Sequence, residues 1–435
     1  MKCLKPLFIA MVAMAAVLSC KKTKETPAPP PTPETPVPVI ASIFPDNGVW
    51  STVVTISGNN FSTTLTNNTV LFNGKAANVL TASATQLTVE TPKGAGTGLV
   101  SVQVDGKTAN GPVFTYAYIT RVSTLAGSIS GFADGTGAAA KFANLYHLYA
   151  DKQGSLYATD MNKIRKITPD GVVSTFAGST YGHVDGPIAA AQFQGAVGIC
   201  ADAQGNMYVS EVGNFDIRKI TPAGVVSTLA GGGVSGDVDG TGTNARFTTP
   251  SGLCADAKGN IYLADGWAAK VRKITPAGVV TTVAGSTMGD ADGAGAMAQF
   301  EFPSGICIDS LGNLFVGDQN RIRRITPAGV VSTFAGSITA GYADGSGTAA
   351  QFSSIGGLCI DPQGNLYAAE YAGNKVRMIT RAGVVTTIAG NSTAGFADGA
   401  PFVARFHTPY GICYYNGNLF IGDGNNYKIR QITME

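Results

Sequence analysis

The chain has 435 residues, of which 13% are charged and 56 are glycine, with a formal charge of +2. That length exceeds one sandwich and calls for at least two domains. Short apolar runs punctuated by glycine, with no long 3.6-residue periodicity, exclude a helical bundle and fit an all-β chain. The near-neutral charge gives no support to a nucleic-acid partner held through its phosphates.

Met1-Lys-Cys-Leu-Lys5 is a basic start, and Pro6 to Leu18 is an apolar run too short to span a bilayer comfortably. It ends in Val17-Leu-Ser-Cys20, which resembles the lipobox of bacterial lipoproteins. The resemblance implies a signal peptide over 1–19 and a membrane anchor on the Cys20 thiol. It also implies an outer-membrane lipoprotein of the bacterial cell envelope, on the periplasmic or the surface side. Losing Lys2 and Lys5 with the signal lowers the formal charge from +2 to 0. Residues 20–38 read as a tether, because Thr26 to Pro38 is proline-rich and predicts an extended spacer of ~3.1 Å per residue.

Residues 39–118 hold short β-rich runs, among them Val53-Val-Thr-Ile-Ser57 and Leu99-Val-Ser-Val-Gln-Val104, separated by turn residues. That pattern predicts a small antiparallel sandwich. Pro45-Asp-Asn-Gly48, Ile56-Ser-Gly-Asn-Asn-Phe61, Val70-Leu-Phe-Asn-Gly74 and Val113-Phe-Thr-Tyr116 resemble the IPT/TIG family of Ig-like domains. The resemblance implies a spacer or interaction module.

Residues 119–435 repeat one paragraph of sequence six times: Val-(Ser/Thr)-Thr-x-Ala-Gly, a loop with Asp-Gly, Gly-(Ile/Leu)-Cys, Gly-Asn-(Leu/Ile/Met)-(Tyr/Phe), then (Ile/Val)-Arg-(Lys/Arg)-Ile-Thr-Pro. This resembles NHL repeats, and four strands per repeat predict a six-bladed β-propeller. The array opens on a lone outer strand, Ile119 to Gly127, and closes on a third strand, Lys428 to Thr433. We therefore expect 121–126 beside 428–433, leaving no open blade edge.

Residues common to all repeats read mostly as scaffold. Cys200, Cys254, Cys307, Cys359 and Cys413 recur on inner strands as small packed hydrophobes. Six acids ending the second strands (Asp160 to Asp423) and six arginines on the third strands (Arg165 to Arg430) predict one ion pair per blade. The recurring Asp-Gly aspartates, Asp134 to Asp398, read as local turn residues. Asp290-Ala-Asp292 mimics part of a calcium loop, with Ala294 at a ligand position.

Departures from the repeat carry the functional reading. Two residues before each Asp-Gly the loops read Phe132, His183, Asp237, Asp290, Tyr342 and Phe396, and second-to-third strand loops on the same face add Trp267 and Tyr371. Aromatics beside carboxylates suit a glycan, peptide or envelope-protein ligand bound without catalysis. Two rivals stand beside that reading. One is a metal-dependent hydrolase or lyase, similar to gluconolactonases or the amidating lyase, with zinc held by His147, His183 and His407 or calcium held by acids. The other is a structural spacer. No nucleophile–base pair and no strong metal spacing is present, so no catalytic residue and no cofactor is assigned.

Overall fold

A computed structural model describes residues 36–116 and 120–434. The segments expected to be a signal peptide and most of a tether, with the expected lipidation site Cys20, lie outside these residues.

Residues Val39–Tyr116 form two facing sheets. One has the order Val39–Phe44, Val53–Asn59, Gln86–Glu90, Asn78–Ala82. The other runs Asn47–Gly48, Lys107–Tyr116, Gly98–Val104, Asn68–Phe72, Lys75–Ala76. Alternation decides which side chains face inward: Val54 and Ile56 are buried while Val53 is exposed. Phe72 meets Phe114 edge-on at 5.1 Å within that core.

Thr120–Met434 forms six sheets arranged as propeller blades. Blade one shows the pattern: inner strand Leu145–Ala150, second strand Leu156–Asp160, third strand Lys163–Ile167, outer strand Val172–Ala177, each antiparallel to the next. Blade six is completed from the other end of the ring. Thr120–Ala126 pairs with Lys428–Met434, Arg121 opposite Thr433 and Thr124 opposite Arg430. The expected closure is thus realised.

Four strands per blade proved too few for blades one to five. Each inter-blade loop adds a two-residue strand, Gly135–Thr136 in blade one, hydrogen-bonded to the outer strand of the blade that follows. In blade six Gly399 bridges Val122 in the same way. These additions cover outer edges that would otherwise present unpaired backbone.

The core lies between blades. Second strands such as Leu156–Asp160 and Leu314–Asp318 are buried at every residue, because a neighbouring blade covers each face. Cys413, Phe420 and Ile429 of blade six pack with Leu148, Ala158 and Ile167 of blade one. The five repeated cysteines are free thiols, four buried and Cys359 partly so. Burial pushes the Cys413 thiol up to about 12, so it packs as a small neutral hydrophobe.

Candidate binding site at the channel mouth

Each blade is clamped by one buried arginine. Arg165 donates Nη1 to Asp160 at 3.0 Å and Nη2 to Asp134 at 2.8 Å, and stacks on Phe142 at 5.3 Å. The predicted ion pair is present in all six blades, and all six arginines are fully buried. The Asp-Gly aspartate is not a local turn residue. Asp134 reaches across the blade to the arginine and accepts the backbone N–H of Thr175 at 3.1 Å. Burial pushes its carboxyl up, but the bonds from Thr175 and Arg165 outweigh this and hold it below its usual range. Asp292 and Asp290 are likewise occupied by Arg323 at 2.7 Å and Arg321 at 3.8 Å, which removes the calcium-loop reading.

The variable loop position has a partner of its own: the first residue of the same blade's third strand. Lys163 sits 5.6 Å from the Phe132 ring, Lys375 4.8 Å from Tyr342, and Lys428 4.6 Å from Phe396. Asp237 pairs with Lys270 at 2.5 Å. The loop aromatics Phe132, Tyr342 and Phe396 are therefore separate stacks on their own lysines, and among the described residues no ring contact joins them. Each ring stays about half-exposed on its own lysine.

Trp267 and Tyr371 behave differently. They converge on a cleft of about 290 Å³ at the axial mouth, with Phe302, Tyr410, Ser304, Gln319 and Ser354. Trp267 is 60% exposed and meets Phe302 edge-on at 5.2 Å. Tyr410 meets Tyr371 at 5.8 Å and Tyr146 at 5.7 Å, again edge-on. Its hydroxyl engages Ser251, which belongs to blade three, opposite blade six in the ring. Tyr410 therefore lies across the axis and forms the floor of the cleft.

Geometry explains why blade six supplies that ring. At the third inner-strand position, blades two to six carry glycine because the next blade's carbonyl is too close for a side chain. A Cβ on Gly198 would lie 2.1 Å from Ser251 O. One residue earlier the side chain points to the axis, and the blades read Tyr146, Val197, Ser251, Ser304, Gly356 and Tyr410. Loop comparison missed Tyr410, Phe302 and Ser304, since they lie on or just before inner strands. The large-to-small variation at that second position is the signal that would have found them.

The three histidines do not meet. His147 is buried beside Tyr410 at 5.2 Å with no partner for Nε2, and burial depresses its pKa to about 4, so it is neutral. His407 Nε2 lies 3.4 Å from the Asn425 side-chain amide. His183 stands instead beside Glu211 and Asp216 of blade two. The three-histidine zinc site of the rival hydrolase or lyase reading is thus not formed among the described residues.

A second cleft, about 520 Å³, opens at the other end between blades four to six, lined by Arg324, Arg381, Asp309 and Asp361 among others. Its aspartates are held in repeated turns, Asp309 by Asn313 and Asp361 by Asn365, each at 2.8–2.9 Å.

Comparison with known proteins follows the two parts of the chain. Residues 38–116 match the family model described as IPT/TIG domain. Mouse Teneurin-4 is 26% identical over 363 residues, spanning 70% of this chain but only 12% of the teneurin. The Arabidopsis thaliana protein SUPPRESSOR OF QUENCHING 1, chloroplastic, is 27% identical over 190 residues, 40% of this chain and 18% of that protein. Among solved structures, a Bacteroides thetaiotaomicron protein of unknown function is similar with a TM-score of 0.67 and 23% identity, over 92% of this chain and 99% of that one. An auxiliary nutrient binding protein of the same organism has a TM-score of 0.57 and 20% identity, over 92% and 98%. At these identities the structural likeness speaks for the fold alone. Residues 38–116 are an IPT/TIG domain, and the chain continues from it into a six-bladed β-propeller.

Proposed function

We propose that this is a lipid-anchored cell-envelope protein whose channel-mouth cleft binds a glycan segment without catalysis. The carrying observation is the cleft's composition: the rings of Trp267, Phe302, Tyr371 and Tyr410 beside the polar side chains of Ser304, Gln319 and Ser354. Aromatic faces stack on the apolar faces of sugar rings, and uncharged polar groups exchange hydrogen bonds with hydroxyls. The residues lining the cleft include no carboxylate, imidazole or thiol. An acid–base or metal mechanism in this cleft would need groups from outside its lining, and there the second-strand acids such as Asp160 and Asp318 are held by buried arginines while His147 is buried and neutral. Binding is therefore favoured over hydrolysis or lyase chemistry. The Val17-Leu-Ser-Cys20 lipobox supports anchoring through Cys20, and a nutrient-binding role is what the Bacteroides neighbour's description states for that protein.

The test is a glycan and peptide array probed with the purified full chain, followed by titration calorimetry on hits. We expect glycan hits that Trp267→Ala weakens at least tenfold. Peptide hits alone, or glycan hits indifferent to Trp267→Ala and Tyr371→Ala, would refute the reading.

A further inference from the structure

Blade two breaks a charge rule that the other five blades obey. The first residue of the third strand is basic in each of them: Lys163, Lys270, Arg321, Lys375 and Lys428. It stands opposite the buried second-strand acid, as in the pairs Asp160–Lys163 and Glu370–Lys375. In blade two this residue is Asp216, opposite Glu211, and both side chains are fully buried.

Charge bookkeeping around each arginine gives the consequence. In blades one, five and six, two acids face one arginine and one lysine and the charges cancel. Blades three and four carry one extra aspartate, Asp237 or Asp290, and keep one surplus negative charge. In blade two Glu211, Asp216 and Asp185 face one arginine, Arg218, and the imidazole of His183 in place of the usual lysine or arginine, so two negative charges stand uncompensated when His183 is neutral and one when it is protonated. Burying unpaired carboxylates is costly enough that such sites hold a proton, a cation or a metal.

The polar atoms show which compensation is missing. Glu211 is well supplied: Arg218 donates at 2.7 Å, Asn214 at 3.0 Å and the Gln194 N–H at 2.5 Å. Asp216 accepts no hydrogen bond on Oδ1, and Oδ2 faces His183 Nε2 at 2.7 Å. His183 rises from the inter-blade loop with its side chain 42% exposed, so an ion can reach the carboxylates past it. One ligand atom from each of His183, Asp216 and Glu211 lies within 4.8 Å of the others. Metal–ligand bonds of ~2.0–2.2 Å place adjacent ligands of one ion roughly 3 Å apart, close to the His183–Asp216 spacing.

We propose that His183, Asp216 and Glu211 form a site for one divalent transition cation of the zinc or manganese kind, standing where the other blades place a lysine or arginine. An imidazole with two carboxylates suits those ions, whereas calcium favours an all-oxygen shell. The site belongs to blade two and is independent of the glycan cleft, whose lining includes none of the three residues.

The test is equilibrium dialysis of the EDTA-stripped full chain against Zn²⁺, Mn²⁺ and Ca²⁺ in turn, with bound metal measured by atomic emission. We expect one Zn²⁺ or Mn²⁺ per chain, abolished in Asp216→Lys, which installs the residue of the other blades. His183→Ala should weaken binding at least tenfold. His183 is partly exposed on a loop, so that variant decides the matter if Asp216→Lys does not fold by circular dichroism. No uptake by the native chain, uptake of Ca²⁺ alone, or uptake unchanged in His183→Ala or in folded Asp216→Lys would each overturn the site.

Discussion

The buried clamps and the channel mouth are built on the same strands, yet they follow opposite rules. In the clamp, arginine, second-strand acid, loop aspartate and phenylalanine recur in every blade, because every blade must bridge its own strands and its preceding loop at one buried point. At the mouth the six blades share one small space, so identical side chains would collide or leave a hole. Tyr410 can cross the axis only because Ser251 opposite it is small and polar. Sixfold repetition therefore marks what each blade needs, and its failure marks what the ring needs once.

That contrast can be broken most forcefully at a clamp. Arg165→Ala leaves Asp160 and Asp134 without their guanidinium. Removing one partner of a buried pair costs about 3–5 kcal/mol. Chemical denaturation should show a loss of that size, and a loss below ~1 kcal/mol would mean that the clamps are ornamental.

The mouth predicts a pH effect that the clamps do not share. His147 has a folded pKa of about 4, below its ordinary 6.5. Its contribution to stability is therefore complete above pH 6.5 and is lost as pH falls through the folded value. A depression of that size corresponds to roughly 3 kcal/mol. Relative to His147→Gly, which restores the residue of the other five blades, the native chain should lose thermal stability between pH 6.5 and 4. Parallel melting curves for the two chains across that range would contradict the burial of a neutral imidazole.

Smaller effects separate the cleft from the rim. Trp267→Ala should reduce glycan affinity at least tenfold while shifting the melting temperature little, since its ring is mostly exposed. Phe132→Ala, which removes only a stack on Lys163, should leave that affinity unchanged. At the lowest end, Phe396→Ala removes contacts with Lys428 and Arg430. Exposed cation–π contacts contribute about 0.5–1 kcal/mol, and the unfolding midpoint should move accordingly. Equal loss of glycan binding in Trp267→Ala and Phe132→Ala would erase the distinction between cleft and rim.

Much of this was legible in the residues. The six repeats, the closure by Thr120–Ala126 and the Arg–acid pairs follow from local pattern and from counting strands at the two ends. The two-residue edge strands were not legible, because Gly135-Thr136 reads as loop until it meets an outer strand that lies later in the chain. Trp267 and Tyr371 were legible as exposed departures from the repeat. Phe302 and Tyr410 were not, since inner-strand positions look like core until the axis gives them a shared space.

His183 shows the boundary. The sequence alone placed it in an inter-blade loop and suggested histidine partners, because only blade order can be counted along a chain. Its actual neighbour, Asp216, is the single acid in a column of lysines and arginine, and alignment of the repeats displays that anomaly. Pairing between neighbouring strands is a local regularity, so the sequence by itself determined the blades, their number and the arginine–acid pairs within them, but not the loop aspartate that completes each clamp. Convergence on the axis and loop-to-strand contacts join residues tens of positions apart, and only the closed ring decided those.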